Sequence, residues 1–239
     1  MRIDILTLFP ELCEDYCNLS IIGRAVKAQK LEIYSHNFRD YTLNRQRQVD
    51  DAPYGGGQGM VLTAQPIHDC FMDIWGMCEV RPYFIYMSPS GSTLTQTKVK
   101  ELATHTNIAI LCGHYEGVDQ RVIDELVDEE ISIGDYVVTG GELPALILTD
   151  AVARLQEGVL SEKEAYEQES HYNILLEHPQ YTRPEEWRER KVPEVLLSGH
   201  HKKIEEWKTA MSIEKTKQQR PDLYQRYLDK LSNENNSKK

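Results

Sequence analysis

Short apolar runs alternate with longer amphipathic segments along the first 160 residues of the chain. Runs rich in Ile, Val, Leu and Tyr are typical of buried strands, and apolar residues at helical spacing are typical of helices that pack on a sheet. We predict strands at residues 3–8, 31–35, 83–87, 108–112 and 131–138. We predict helices at residues 20–29, 64–76, 95–104, 118–127 and 142–156. This alternation predicts an α/β domain over residues 1–160, built on a largely parallel sheet.

The pattern changes after residue 160. Residues 161–175 are polar and weakly periodic, which favours an interdomain linker. Residues 176–239 show no strand pattern, and prolines divide them into helical pieces, so we predict a small all-α domain. Ser198 is a candidate N-cap for a helix at about 200–217, and the polar end at 232–239 is expected to be disordered. The apolar stripe of that helix, which we expect to be core, consists of Ile204, Trp207 and Met211.

The composition sets limits on the class of protein. The chain has 239 residues, 40% of them hydrophobic. It has no apolar run near the roughly 18 residues that a membrane helix needs. The first residues lack the pattern of a signal peptide, so we expect a cytoplasmic protein with no membrane partner. The five cysteines include no C-x-x-C pair and no nearby histidine at zinc-ligand spacing, which argues against a disulfide framework or a zinc site.

The net charge of −11 argues at face value against a polyanionic partner, because phosphate contacts need Lys and Arg. The distribution of charge weakens that argument. Residues 1–160 hold 12 basic and 23 acidic side chains, whereas residues 161–239 hold 15 of each. Basic clusters such as residues 200–203 therefore fit local phosphate contact or plain solvated surface.

Three segments that follow predicted strands hold the small residues that a ligand crevice needs: residues 86–91, 112–117 and 131–144. Ligands of open α/β sheets bind outside the carboxyl ends of the strands, so three such segments together favour a pocket there. In the third, Gly140 and Gly141 permit close approach of backbone to a small molecule, or in the plainer interpretation only a tight strand-to-helix link. None of the three has the glycine signature of a P-loop or a dinucleotide-binding turn.

Residues 50–60 form a fourth, glycine-dense segment. Its composition alone fits a flexible linker and a functional loop about equally. Linkers, however, seldom begin with two Asp and a Pro-Tyr and end directly in an apolar run.

Six motifs of the chain occur together, in this order, in one family of enzymes. They are Leu-Phe-Pro-Glu at 8–11, Asp-Asp-x-Pro-Tyr-Gly-Gly-Gly-x-Gly-Met at 50–60, Ser-Pro-x-Gly at 88–91, Cys-Gly-x-Tyr-Glu-Gly-x-Asp-x-Arg at 112–121, Ser-Ile-Gly-Asp-Tyr-Val-x-x-Gly-Gly-Glu-Leu-Pro at 132–144 and His-Pro-x-Tyr-Thr-Arg-Pro at 178–184. With these motifs the chain resembles the bacterial tRNA (guanine-N1)-methyltransferases, the TrmD family, from about residue 1 to residue 215.

The resemblance implies a SPOUT-class fold with a deep C-terminal trefoil knot, and a homodimer with the active site at the subunit interface. It implies S-adenosylmethionine as the methyl donor and the anticodon arm of tRNA, not DNA, as the partner. The reaction would methylate N1 of the guanosine at position 37, next to the anticodon, a modification that maintains the reading frame. The residues that the resemblance assigns to the S-adenosylmethionine site are Tyr86, Met87, Ser88, Pro89, Gly113, Tyr115, Glu116, Ser132, Ile133, Gly134, Tyr136, Val137, Val138, Gly140, Gly141 and Pro144.

Methylation of guanine N1 requires a base that removes the N1 proton and a positive group that stabilises charge on O6. The resemblance assigns these roles to Glu169 and Arg154. Glu169 stands where the family usually has Asp, so the carboxylate is one methylene longer at a similar reference pKa. From the residues alone, we would prefer a plainer interpretation of Arg154, an i,i+4 salt bridge with Asp150.

The resemblance also suggests residues that contact tRNA, in the glycine-dense segment and in the second domain. The plainer interpretation of the basic ones is solvated surface. The family further suggests an assisting divalent ion, Mg²⁺, although the sequence shows no metal-ligand cluster. At His200 the family typically has Asn, which affects one side-chain contact. The candidates for tRNA contact are Asp50, Tyr54, Gly59, Arg183, Ser198, Lys202 and Lys203.

Two other functions fit part of the pattern. The first is a knotted tRNA-binding protein with weak or lost methyltransferase activity, suggested by the departure at Glu169. The presence of Arg154 and of all three cofactor segments counts against it. The second is a methyltransferase that acts on another RNA. The motif at 178–184 counts against that one, because it resembles the domain that binds the anticodon arm.

Overall fold

The chain divides into two compact units, Met1–Glu162 and Lys163–Lys239. The computed structural model describes residues 1–160, 166 and 169–236. Residues 161–165 and 167–168 of the predicted linker, and 237–239 of the predicted disordered end, lie outside the described residues. Of the helices in the described part of the chain, none combines the length and the hydropathy that a membrane span requires.

The first unit is built around a parallel sheet. Its strands are β1 (Arg2–Thr7), β2 (Glu32–Asn37), β3 (Asp50–Asp51), β4 (Val61–Leu62), β5 (Tyr83–Thr93), β6 (Asn107–Cys112) and β7 (Glu129–Ser132). Five of them form one sheet in the order β2-β1-β6-β5-β7, with every neighbouring pair parallel. The strands β3 and β4 pair separately as an antiparallel hairpin. The predicted α/β fold with a parallel sheet is confirmed.

Helices cover both faces of this sheet. They are α1 (Pro10–Cys17), α2 (Ser20–Lys27), α3 (Ala64–Gly76), α4 (Gln96–Leu102), α5 (Gln120–Leu126) and α6 (Glu142–Ala153). Alternate strand residues contribute to different cores, as a period of two requires. Ile85 and Met87 of β5 pack with α1, α2, α4 and α6, whereas Phe84 and Tyr86 pack with α3 and α5.

The sequence pattern does not predict α1. This helix has eight residues, too few to show a clear helical period among its neighbours. Two local signals favour it nevertheless. Pro10 lies in the first turn, where its missing N–H costs nothing, and Glu11 places negative charge at the helix N-terminus.

The predicted strand at 131–138 is wrong beyond Ser132, where β7 ends. The Ser132 hydroxyl accepts a hydrogen bond from the Gly134 backbone nitrogen at 3.2 Å, a local turn that competes with the sheet. Gly134 then has a φ of 142°, which L side chains rarely adopt. The β-prone residues that follow, Tyr136 and Val137, are exposed.

The second unit contains a short hairpin as well as helices, so the predicted all-α domain is wrong. Its strands are β8 (Glu186–Trp187) and β9 (Arg190–Lys191), and its helices lie at Glu194–Leu197, His201–Gln219 and Pro221–Asn236. Strands of two residues are too short to show alternation in a sequence. The last helix also replaces the predicted disorder over residues 232–236.

Ser198 is not the N-cap that the sequence predicts. It follows the helix Glu194–Leu197, and its hydroxyl donates a hydrogen bond to the Val195 carbonyl at 2.7 Å. The residue that precedes the helix His201–Gln219 is His200. Ser198 therefore ends one helix, and the Ser side chain competes for a local backbone group as it commonly does at helix ends.

The predicted apolar stripe lies on the helix His201–Gln219. Its residues Ile204, Trp207 and Met211 are half-buried, so the stripe is less enclosed than a core position. The Trp207 ring centre lies 6.4 Å from that of His178 and 6.3 Å from that of Tyr181. Aromatic contacts within the second unit therefore cover part of this stripe.

Candidate active site

A cleft of about 280 Å³ lies at the bulge of β5 and the ends of β6 and β7. The three glycine-containing segments predicted from the sequence converge on it. Of the sixteen residues that the resemblance assigns to the cofactor, these line the cleft: Tyr86, Met87, Ser88, Pro89, Gly113, Tyr115, Glu116, Ser132, Ile133, Tyr136, Val137, Val138, Gly140, Gly141 and Pro144. Gly134 is not among the lining residues and instead turns the segment after β7. The lining residues that belong to the predicted segments but are not assigned by the resemblance are Ser90, His114, Gly117, Ile131 and Thr139.

Two glycines let the walls of the cleft approach each other. A Cβ atom on Gly141 would lie 2.6 Å from the Cys112 Cα atom, and one on Gly113 would lie 2.8 Å from the Tyr86 hydroxyl oxygen. The Gly141 backbone nitrogen also donates a hydrogen bond to the Gly113 carbonyl at 2.8 Å. Gly141 therefore has to be glycine because a side chain would collide with the neighbouring backbone. The resulting backbone contact joins two of the predicted cofactor segments.

A buried polar network lies behind this contact. The Glu142 carboxylate accepts a hydrogen bond from the Thr7 hydroxyl at 2.6 Å and lies 2.8 Å from the His114 Nε2 atom. Thr7 and Glu142 are buried. A Cβ atom on Gly140 would lie 2.3 Å from the His114 ring, so that ring packs directly on the segment. The network thus connects β1, the end of β6 and the start of α6.

Two buried groups near the cleft stay protonated at neutral pH. Burial, with a smaller contribution from the Glu130 carboxylate, raises the pKa of Tyr86 to about 12. Burial also raises the pKa of the Cys112 thiol well above its usual range, and the Glu142 carboxylate adds to that effect. Tyr86 therefore offers a neutral hydroxyl, and Cys112 is not a thiolate nucleophile.

The glycine-dense segment is tied to the same region. It joins β3 to β4, and the Glu116 backbone nitrogen donates a hydrogen bond to the Met60 carbonyl at 2.9 Å. Gly59 has a φ of 85°, and a Cβ atom there would lie 2.5 Å from the Glu116 carboxylate. Tyr54, in contrast, is fully exposed. The structure therefore brings one predicted tRNA residue, Gly59, next to a predicted cofactor residue.

Arg154 lies outside the cleft lining, directly after the last residue of α6. It lines a second, more apolar groove with Leu143, Ile147 and Asp150. The Asp150 carboxylate accepts a hydrogen bond from the Tyr16 hydroxyl at 2.7 Å, which raises the pKa of Tyr16 to about 12.

A family model described as tRNA (Guanine-1)-methyltransferase TrmD matches residues 1–226. The chain belongs to this family. A curated relative from Ruminiclostridium cellulolyticum, named tRNA (guanine-N(1)-)-methyltransferase, is 52% identical over 235 residues, which are 98% of this chain and 99% of that protein. Proteins of the same name from Lachnospira eligens and Clostridioides difficile are 50% and 49% identical, and cover 98% and 96% of this chain and 99% and 100% of their own length. These are names of enzymes, so a tRNA-binding protein without activity is not favoured.

Of the remaining predicted residues of this TrmD-family chain, Asp50 is half-buried in β3 and the others lie in the second unit. Glu169 is half-buried, and its backbone nitrogen donates a hydrogen bond to the Tyr166 carbonyl at 3.3 Å. The neighbouring Ser170 hydroxyl accepts a hydrogen bond from the Glu177 backbone nitrogen at 2.9 Å, which folds this short segment back on itself. The predicted tRNA residues Arg183, Ser198, Lys202 and Lys203 are all exposed.

Proposed function

We propose that this chain transfers a methyl group from S-adenosylmethionine to N1 of the guanosine at position 37 of tRNA, next to the anticodon. The observation that supports this most is the convergence of three strand-end segments on one cleft, in a chain of the TrmD family. Ligands of parallel α/β sheets bind at this end of the strands. We place the reaction in the cytoplasm, where tRNA is used.

The residues of the cleft fit S-adenosylmethionine in charge and in shape. Among the described residues that line it, Glu116 carries a carboxylate, and none is Lys or Arg. Such a lining suits S-adenosylmethionine, which carries two positive groups, a sulfonium and an ammonium, and only one carboxylate. Ile133 and Val137, which line the cleft, offer apolar contact for the adenine ring.

Glu169 and Arg154 are proposed to carry out the acid–base part of the reaction. S-adenosylmethionine supplies the methyl group when bound. The Glu169 carboxylate accepts the proton that leaves guanine N1, and the Arg154 guanidinium stabilises the negative charge that develops on O6. The extra methylene of Glu169 changes the reach of the base but leaves its reference pKa close to that of Asp.

The test measures methyl transfer to tRNA transcripts that carry guanosine or adenosine at position 37. Glu169→Ala is expected to lower turnover at least about a hundredfold, the usual contribution of a general base, and to leave the Kd for S-adenosylmethionine unchanged. Glu169→Asp, which restores the usual family residue, is the matched control and should remain active. Near-normal turnover of Glu169→Ala would contradict its role, and equal methylation of both transcripts would contradict the function.

A homodimer is proposed because the face formed by α1 and α6 exposes large apolar side chains. Leu12 of α1 and Leu143 and Ile147 of α6 are each 45% to 58% exposed, and Phe9 before α1 is 52% exposed. Apolar patches of this kind usually mark an interface. Arg154 lies in the groove beside Leu143 and Ile147, so a second copy on this face would lie next to Arg154. We propose that Glu169 of one copy faces the cleft of the other.

Mixing two inactive variants tests this arrangement. Glu169→Ala and Arg154→Ala homodimers are each expected to be inactive. A heterodimer of the two has one complete site if Arg154 and Glu169 of a site come from different subunits. When the two variants are refolded together, the mixture should recover a substantial part of the activity, whereas no recovery would place both groups of a site in the same subunit.

We also propose the trefoil knot for the first unit. After β7 at the sheet edge, the chain returns past β5 to contact the end of β6 at Gly141 before α6 begins. The bulge of β5 between Met87 and Ser92 holds Gly91 against the Glu130 backbone, beside the start of this return. In the proposed knot, the returning segment threads past this bulge.

The tRNA contacts are proposed on both units. In the first unit, Asp50, Tyr54 and Gly59 belong to β3 and the exposed segment next to Glu116. In the second unit, the exposed Lys202 and Lys203 lie in the first turn of a helix, where backbone N–H groups also favour phosphate. The described residues contain no group of three or more His, Cys, Asp or Glu placed to hold the suggested Mg²⁺ ion.

A further inference from the structure

The hairpin of the second unit presents an exposed tryptophan. Trp187 is the last residue of β8, and 57% of its surface is open. The Arg188 guanidinium lies over the indole, 4.8 Å from the ring centre. At this distance the guanidinium and the ring attract each other, and the contact holds a cation beside the aromatic surface.

The two faces of the hairpin differ in charge. Antiparallel pairing sets Trp187 opposite Arg190 and Glu186 opposite Lys191, and directly opposed residues share a face. On one face the Lys191 ammonium lies 3.8 Å from the Glu186 carboxylate, so these charges compensate each other. On the other face the partner of Trp187 is a second arginine. The aromatic face is therefore also the basic one.

The turn of the hairpin holds side chains that its geometry disfavours. Arg188 and Glu189 have φ angles of 50° and 64°. Two-residue turns with positive φ at both positions favour Asn and Gly, which tolerate the left-handed region. Turn geometry therefore does not explain a long cationic side chain at residue 188, whereas a contact made by that side chain does. Residues 186–191 hold three basic and two acidic side chains, in a chain of net charge −11.

We propose that the Trp187 face of this hairpin binds an unpaired nucleotide of tRNA. The base stacks on the indole in place of the Arg188 guanidinium, and Arg188 and Arg190 then contact the phosphates on either side. Exposed aromatic rings stack on bases of any identity, and guanidinium groups bind phosphate oxygens with good geometry. This inference rests on the proposed tRNA substrate and adds a contact surface outside the cleft.

The test measures binding of an unmodified tRNA transcript by the full-length chain without S-adenosylmethionine, so that binding is separated from methyl transfer. Trp187→Ala is expected to raise the Kd for the transcript about tenfold, the usual effect of removing the ring under one stacked base. Trp187→Phe keeps an aromatic ring and should raise the Kd less than about threefold. Arg190→Gln should make the slope of log Kd against log salt shallower by about 0.7 to 0.9. Lys191→Gln, on the opposite face, is the matched control and should leave that slope unchanged.

Indole fluorescence gives a direct readout that a structural role would not produce. Subtracting the fluorescence of Trp187→Phe from that of the wild type separates the emission of Trp187 from the emission of Trp75 and Trp207. We expect this difference signal to be quenched as transcript is added. The proposal is overturned by an unchanged signal, by wild-type affinity in Trp187→Ala, or by equal losses of affinity in both Trp187 variants with a lowered Tm. If the wild type shows the quench but does not methylate tRNA, the proposed function fails and this inference stands.

Discussion

The cofactor cleft and the candidate tRNA residues of the second unit are held in different ways. In the cleft, Gly141 packs on the backbone of Cys112, and the Glu142 carboxylate is buried against Thr7. In the second unit, Arg183 and Lys202 are exposed. Under the proposed function, the small ligand would meet a preformed backbone framework, whereas the large polyanion would meet exposed side chains at a surface.

The strongest test of the preformed framework of the cleft removes the Glu142 carboxylate. In Glu142→Ala the Thr7 hydroxyl and the His114 ring would lose a shared acceptor inside the protein. We expect a loss of about 3 kcal/mol in the free energy of unfolding, as for other broken buried pairs. Urea denaturation measures it. Glu142→Gln keeps an acceptor and should lose less, and equal stability of Glu142→Ala and wild type would show that the network does not support the cleft.

A methyl group at Gly141 tests the backbone contact itself. Its Cβ would lie 2.6 Å from the Cys112 Cα atom, so one wall of the cleft has to move. Gly141→Ala is expected to cost about 1–3 kcal/mol of stability and to weaken S-adenosylmethionine binding at least about tenfold by calorimetry. Gly76→Ala, at the end of α3 where a Cβ would meet open space, is the matched control; it should leave ligand affinity unchanged and should not lower stability. Unchanged ligand affinity in Gly141→Ala would argue against a preformed framework.

Changes at the exposed lysines of the second unit should affect tRNA affinity and have almost no effect on stability. Lys202→Ala with Lys203→Ala should make the slope of log Kd against log salt shallower by about 0.9 for each phosphate that the double variant no longer neutralises. The free energy of unfolding should stay within about 0.5 kcal/mol of the wild type, as for other exposed positions. Lys217→Ala, on the same helix, serves as the control. An unaltered slope in the double variant would show that these lysines are solvated surface.

The smallest expected effect concerns the helix start beside the cleft. The Arg121 guanidinium donates hydrogen bonds to the Asp119 carboxylate at 2.6 and 2.9 Å and lowers the pKa of that carboxyl. This stabilisation is present above the unfolded pKa of about 3.9 and is lost as pH falls through the lowered folded pKa. Arg121→Gln should therefore be slightly less stable than wild type at neutral pH and converge with it in acid. An NMR titration should show the Asp119 pKa raised toward its ordinary value, and no change would contradict the assignment.

The central strands β1, β6 and the first half of β5 were predictable because they are buried and appear as mostly apolar runs. Reading apolar runs as strands also explains the wrong strand prediction at residues 131–138. Tyr136 and Val137 are β-prone residues, yet the turn at Ser132 and Gly134 ends the strand and leaves them exposed at the cleft. Apolar residues that line a ligand site and apolar residues that fill a sheet look alike in a single sequence.

The site was predictable where its residues follow one another in motifs, and not where its hydrogen bonds join distant parts of the chain. The segments around Gly113 and Gly140 are recognisable as continuous motifs. His114 and Glu142 are 28 residues apart in the sequence, so no local pattern predicts the hydrogen bond between them. The hairpin around Trp187 was missed for the opposite reason, because strands of two residues are too short to show a period.

The hydrogen bonds between the glycine-dense segment and the segment after β6 have a thermodynamic consequence. The Glu116 nitrogen donates to the Met60 carbonyl, and the Leu62 nitrogen donates to the Gly117 carbonyl, each at 2.9 Å. A ligand that restricts the motion of residues 113–117 therefore also restricts residues 53–60. The entropy lost on that first binding event need not be lost again by a second ligand that contacts residues 53–60. The two ligands would then bind with positive cooperativity in addition to any contact that they make with each other.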